Sequence, residues 1–391
     1  MATPAPFVPV PARPAPVRLL GPRAWLAQNL FPDWPSGLAT LLIAALFIHY
    51  FPALLDWAVF NAVFSADNAA CRAVAHDTAH PGACWGVVTE KYRIILFGRF
   101  PHAEHWRPLL ATLLVLAALV VSCLPRVWAR LGVRWLAPAW LLVFAAFFLL
   151  MRGGVAGLSY VETARWGGLP LTLLLSTLCI AAAFPIAVLA ALGRLSELPA
   201  VRAVCITYIE LVRGVPLISV LFMASFMFPL FLPPGMTPDV LLRVLAGITL
   251  FAAAYLAEVV RGGLQAIPRG QHEAAASLGL TYWQTQRRIL LPQALRHVVP
   301  AIVNSFISTF KDTSLVTIVS LYELTGALGL ALRGDTDWRP FHFEGYLFIA
   351  AIYWVGCNAM SAYSRWIERR LEPGQQSSST TMAPAATGNP Q

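Results

Sequence analysis

Ionisable side chains stand inside long apolar runs of this chain: Glu210, Arg213, Glu258, Arg261, Lys311 and Asp312. Such a group costs roughly 2.5–3.5 kcal/mol at the centre of a bilayer helix on insertion scales, so it must face protein or water. Lys311 and Asp312 interrupt an apolar run that follows Val298, which sets them near mid-membrane if a helix starts there and rises about 1.5 Å per residue. Two readings stand for this pair. Either it contacts the amino and carboxylate groups of a passing solute, or it makes interhelical bonds that only hold the helices. Glu210 and Arg213, three positions apart, can neutralise each other on one helix face. Gly214 and Pro216 can break that helix, a recurrent device at transporter sites, and a plain kink is an equal reading. Glu258 and Arg261 read as structural support for the segment that follows them.

That segment is polar. Glu273 to Pro292 lies between apolar runs yet could not itself stay in lipid. Glu273, the three alanines after it and Leu278 favour a short helix. Gly279 suits its left-handed stop. Thr281, followed three residues later by Gln284, is a capping-box signature for a second helix, and Pro292 and Pro300 disfavour its smooth continuation. A helix–turn–helix of this kind, carrying Arg287, Arg288 and Arg296, needs a protein to dock on or serves merely as a basic anchor beside the membrane.

Other chemistry is sparse. Cys71 and Cys84 lie outside the apolar runs and in an oxidising compartment can form a disulfide or remain two free thiols; spacing alone does not decide. Cys123, Cys179, Cys205 and Cys357 fall in apolar helices and read as small packed hydrophobes. His76 and His80 have no further ligands beside them, and no Cys/His spacing suggests a metal. The chain lacks the G-x-x-x-x-G-K-[ST] phosphate loop, and no nucleophile–base–orienter set is visible.

The elements that must position these residues follow from composition. The chain has 391 residues, 58% hydrophobic and 12% charged, about half the charged share of soluble domains. Several runs reach the roughly 18 apolar residues needed to cross a bilayer. An all-α polytopic membrane protein with about eight spans is expected, near 38–55, 109–126, 136–151, 169–193, 203–231, 240–260, 298–321 and 345–364. The net charge of +9 invites a nucleic-acid reading, but the arginines gather beside the ends of apolar runs, where they orient a protein in the membrane. Arg194, Arg202, Arg261, Arg269, Arg287, Arg288, Arg365, Arg369 and Arg370 fall on one side; the short loops of the other hold Arg152, Arg165, Arg333 and Arg339. Both termini and the polar segment are therefore expected on the cytoplasmic side. Four regions are expected: a Pro-rich unpacked tail over 1–35; a three-helix extension over 36–160 with an outer loop near 56–107; a five-helix core over 161–372 with the polar loop at about 264–297; and a disordered tail over 373–391. The Gly-rich stretch after Arg152 is the expected boundary between extension and core.

The polar segment resembles a known signature. Glu273, Ala274, Ala275, Gly279, Ile289, Leu291 and Pro292 match E-A-A-x3-G-x9-I-x-L-P of binding-protein-dependent ABC importer permeases in type and spacing. Around it, Glu210 to Leu217, Tyr255 to Gln271 and Lys311 to Thr325 resemble segments of the polar amino-acid (histidine/glutamate-type) permeases. The resemblance covers about 165–370, and the added N-terminal region is similar to the longer permease subunit of general L-amino-acid importers. It implies a coupling loop seated on a separate ATPase, ATP and Mg on that partner and no cofactor on this chain. It further implies a second permease subunit (a homologue or itself), a periplasmic binding protein, no nucleic acid, and the inner membrane. Transport of L-amino acids follows, with no catalysis by this chain. The competing class is an ion-coupled secondary transporter in which Asp312, Glu210 and Glu258 relay protons; it leaves the signature unexplained. A membrane enzyme is a distant third.

Overall fold

A computed structural model of the chain describes residues 22–77, 79–155, 157–233 and 235–371; the expected tails at 1–21 and 372–391 lie outside the described residues. Backbone contacts divide the chain into two units, Met1–Gly86 and Val87–Gln391.

In the first unit the end of the expected Pro-rich tail is helical. Helix α1 (Pro22–Asn29) is followed by α2 (Trp34–Leu55). Asp33 caps α2 by accepting from the Ser36 amide at 2.9 Å, and Thr40 Oγ1 donates to the Leu30 carbonyl at 2.8 Å, which closes the turn between them. Proline at Pro22 and Pro35 is compatible because first-turn amides have no intrahelical partner. None of the most apolar window of α2 is buried by protein, as suits a lipid-facing span. Beyond it, α3 (Asn68–His76) is capped by Asp67. Cys71 and Cys84 are joined as a disulfide, with Cα atoms 5.2 Å apart. The loop folds back on itself through Val63 N–H to the Ala83 carbonyl at 2.8 Å and Trp85 Nε1 to the Ala58 carbonyl at 2.8 Å.

The second unit contains α4 (Gly86–Phe97), whose first residue lies at the boundary, then α5 (Trp106–Cys123), α6 (Pro125–Arg152) and α7 (Gly168–Arg194). The expected boundary after Arg152 is a turn within this unit: the Val161 amide reaches the Arg152 carbonyl at 2.7 Å. Arg107, expected in the outer loop, is fully buried at the start of α5. It donates to the Leu150 carbonyl at 2.6 Å, to the Ser159 carbonyl at 3.0 Å and to Glu104. Phe144, Phe147 and Met151 of α6 share one core with Trp166, Leu171 and Leu175, so α5 and α6 belong with the later helices rather than to a separate extension.

Helix α7 is the central post. Ala183, Ala187, Ala190 and Ala191 pack with Ala252, Ala253 and Ala257 of α10 (Val240–Gln265). Small residues let two backbones approach closely, which is how helices gain contact in lipid. Gly263 of α10 shows the same: a Cβ there would lie 2.7 Å from the Ala294 carbonyl oxygen of α13 (Leu291–Asp312).

The spans differ from expectation in two places. The run 203–231 is a broken pair, α8 (Pro199–Arg213) and a second piece from α9 (Leu217–Phe222) onward to Phe231, bent by 105°. Pro216 supplies no amide and disfavours helical geometry at Val215, so the helix stops at Gly214. The run 298–321 is α13 and a tighter 3₁₀ stretch over Thr313–Val319. Six helices among the described residues are long and apolar enough to cross a membrane, or seven spans with the bent pair counted as one. The short α14 (Leu324–Arg333) and the long α15 (His342–Leu371) complete the unit.

Candidate functional site

The polar segment forms a hairpin: α11 (Arg269–Ser277), a turn, and α12 (Tyr282–Thr285). Gly279 has φ of +69°. Its amide donates to the Ala276 carbonyl at 2.9 Å, and the Leu280 amide donates to the Ala275 carbonyl at 3.2 Å. These two bonds make a Schellman stop, which satisfies carbonyls that a helix end would otherwise leave open. Thr281 and Gln284 then form a reciprocal capping box, with Thr281 N–H to Gln284 Oε1 at 2.9 Å and Gln284 N–H to Thr281 Oγ1 at 3.4 Å. The second helix does not stop at proline. It widens into a π-helical turn over Gln286–Leu290 and continues as α13, where Pro292 occupies the first turn and needs no amide.

Two residues anchor the hairpin and others project from it. Ala275 and Leu290 are each 1% exposed, whereas Leu278 is 75%, Trp283 64% and Tyr282 52% exposed. Exposed large apolar groups clustered with charged neighbours mark a contact surface. Glu273, Ala274, Gly279 and Pro292 are exposed as well, while Ile289 and Leu291 are half-buried. Between the hairpin and the α7–α8 turn lies a recess of about 1010 Å3, lined in part by Leu192, Leu198, Leu280, Trp283 and Gln286. The Gln286 Oε1 atom is buried there without a hydrogen-bond partner. Burial, and then the Glu197 carboxylate, raise the pKa of the Tyr282 hydroxyl.

A charged node sits beside the hairpin, where α10 runs toward it. Glu258 accepts from Arg261, at 2.8 Å for the closest contact, and pairs with Arg194 at 3.1 Å and Arg213 at 3.7 Å. Arg194 also pairs with Glu210 at 2.8 Å. Glu210 and Arg213 are therefore not each other's partners, contrary to the pairing their spacing suggests. Residue Glu210 reaches α7 and Arg213 reaches α10, because the α8 face that carries them is turned between those helices. Both take part in a lock between three helices. Lys311 is exposed and Asp312 half-buried at the far end of α13. The helix begins at Leu291, seven residues before the expected start, so this pair stands about 30 Å along it instead of at its middle.

A carboxylate that the spacing argument missed is Glu323. It is fully buried and accepts from Tyr353 Oη at 2.7 Å, the Thr325 amide at 2.8 Å, the Gly326 amide at 3.1 Å and Thr172 Oγ1 at 3.3 Å. Its capping of α14 is a contact to amides two and three residues away, whereas its partners on α7 and α15 are distant in sequence and leave no local signal.

A bundle of membrane helices built round one central post, with a capped polar hairpin following a span that is tied to that post by charge, fits the membrane subunit of a transporter. The comparisons make this specific. Residues 183–373 match the family model described as binding-protein-dependent transport system inner membrane component. The chain is 44% identical over 367 residues to the inner membrane amino-acid ABC transporter permease protein YhdY of Escherichia coli (strain K12), covering 93% of this chain and 97% of the relative. It is 35% identical over 417 residues to the glutamate/glutamine/aspartate/asparagine transport system permease protein BztC of Rhodobacter capsulatus, covering 92% of this chain and 96% of that one. A crystal structure of an amino acid ABC transporter with histidines is 31% identical with a TM-score of 0.45, over 51% of this chain and 90% of that chain. The chain belongs to the permease family of binding-protein-dependent ABC importers. It is a multi-pass membrane permease subunit, and not itself the ATPase.

Proposed function

We propose that this permease carries L-amino acids, polar ones among them, into the cytoplasm, powered by ATP and Mg on partner ATPase subunits that receive the hairpin. The amino-acid assignment is supported by what YhdY and BztC are named for and by full-length similarity to both. The observation that carries the coupling role is the hairpin itself: a Schellman stop and a capping box hold Leu278, Tyr282 and Trp283 outward while Ala275 and Leu290 fix its base. Arginine bias supports placing the hairpin and both termini on the cytoplasmic side of the inner membrane. A second permease subunit, homologous or identical, completes the path, and a periplasmic binding protein delivers solute at the opposite end. Lys311 and Asp312 are the proposed solute contacts, since neither is drawn into a side-chain hydrogen bond or salt bridge among the described residues.

Thiol cross-linking tests the docking. Ser277→Cys places a thiol on the exposed end of α11. In vesicles holding the partner ATPase it should cross-link to that subunit, with a yield that changes when ATP binds. A thiol at 277 that reacts only from the periplasmic side overturns the reading.

A further inference from the structure

The loop between α14 and α15 leaves a recess of about 640 Å3 at the end of the core remote from the hairpin. Leu332, Arg333, Thr336, Arg339, His342 and Tyr346 stand round it. Arg333, Arg339 and His342 are exposed, and none takes part in a salt bridge or side-chain hydrogen bond among the described residues. The acidic groups nearby are otherwise engaged. Asp335 accepts from Lys91 Nζ at 2.8 Å and from the Asp337 amide at 3.0 Å; Asp337 has a partner of its own, and Glu344 is buried. The contrast with the hairpin end is sharp, because Arg194, Arg213 and Arg261 there share Glu258.

Two unmatched guanidinium groups beside one opening are suited to a single class of ligand. Guanidinium is a planar fork of donors that fits the paired oxygens of a carboxylate or phosphate, and it stays charged at any working pH. The Thr336 and Tyr346 hydroxyls add neutral donors at the rim, and Leu332 and Pro340 add apolar wall. At about 30 Å3 per water, the recess has room for a solute many waters in size. We propose that this recess is an anion-binding site that takes an oxyanion, either the side-chain carboxylate of a small acidic solute or the phosphate of a lipid headgroup.

The test uses the full chain in nanodiscs of phosphatidylcholine, with two probes. One is L-glutamate, compared with its neutral isostere L-glutamine; the other is replacement of part of the lipid by phosphatidylglycerol. Binding is read from the unfolding midpoint across a titration. The expected result is a rise with glutamate but not glutamine, or with phosphatidylglycerol, which names the source. Arg333→Gln combined with Arg339→Gln should weaken the active probe at least tenfold, about 1.4 kcal/mol. The midpoint in pure phosphatidylcholine without glutamate should stay unchanged, since both side chains are exposed; Arg339→Gln alone serves if the double variant unfolds. No response to either probe, a response untouched by these variants, or an equal rise with glutamate and glutamine overturns the proposal.

Discussion

Gly279→Ala is the substitution that most cleanly separates backbone conformation from packing in the hairpin. No atom lies within 4 Å of a Cβ built at this position, so the change costs nothing in steric crowding. The whole effect comes from φ of +69°, where an L-residue loses roughly 1–2 kcal/mol. That amount corresponds to a factor of about 5–30 in a local equilibrium. The amides of Gly279 and Leu280 hold the Schellman stop, so hydrogen exchange of the 275–285 segment should accelerate by about that factor. ATP-driven uptake should fall in the same direction, while the global unfolding midpoint moves little because the hairpin is peripheral. Gly270→Ala supplies the control. It too has open space, but it sits within α11 with ordinary helical φ, where alanine is neutral or stabilises by about 0.4–1 kcal/mol. Gly279→Asn should fall between wild type and Gly279→Ala, since asparagine tolerates the left-handed region. Exchange that is unchanged in Gly279→Ala, or equally accelerated in Gly270→Ala, would refute the reasoning.

Three further outcomes follow from the same geometry. Glu258→Gln removes the carboxylate shared by Arg194, Arg213 and Arg261 and should lower stability in detergent by about 1.5–3 kcal/mol, whereas Glu210→Gln, whose side chain is 55% exposed, should cost about 0–1 kcal/mol; equal shifts in unfolding midpoint would count against the node. Reducing the Cys71–Cys84 disulfide, which spans 13 residues, should release about 3 kcal/mol of loop constraint and speed proteolysis of the 61–86 stretch without altering exchange in the hairpin; an unchanged cleavage rate contradicts this. The Lys91 ammonium, with help from the Asp337 and Trp338 amides, holds the Asp335 carboxyl below its ordinary value of 3.8, so its stabilisation is fully present above that value and is lost as pH falls through the lower folded value; Lys91→Gln should weaken this acid sensitivity of the 334–341 loop, as read by proteolysis between pH 5 and pH 2.

The hairpin was legible in the sequence because its determinants are local. A glycine stop, a Thr-x-x-Gln box and a run of helix formers act within one turn of themselves, and the structure carries each of them. The order of the apolar runs was legible for the same reason, but not their number: about eight spans were expected, and six helices, or seven spans with the bent pair, are long and apolar enough among the described residues. What sequence spacing misjudged depends on contacts between distant elements. Glu210 is three residues from Arg213 yet pairs with Arg194, sixteen residues away. Pro292 looked like a helix stop, but the π-helical turn before it let the chain enter α13 with the proline in a tolerated position. Arg107 read as an outer-loop charge and is buried, because the ends of α5 and α6 fold over it. The boundary after Arg152 failed on the same ground, since a glycine-rich turn looks alike between two domains and within one.

The central claim is that this subunit moves solute only when a separate ATPase acts on the hairpin. Reconstitution tests it most directly: the permease in proteoliposomes, with a binding protein and labelled L-amino acids outside, assayed with and without partner ATPase and ATP inside. The account predicts uptake only when ATPase and ATP are both present, and its loss in Gly279→Ala in step with hairpin exchange. Uptake by the permease alone, driven by an imposed proton or sodium gradient and indifferent to Gly279→Ala, would contradict it.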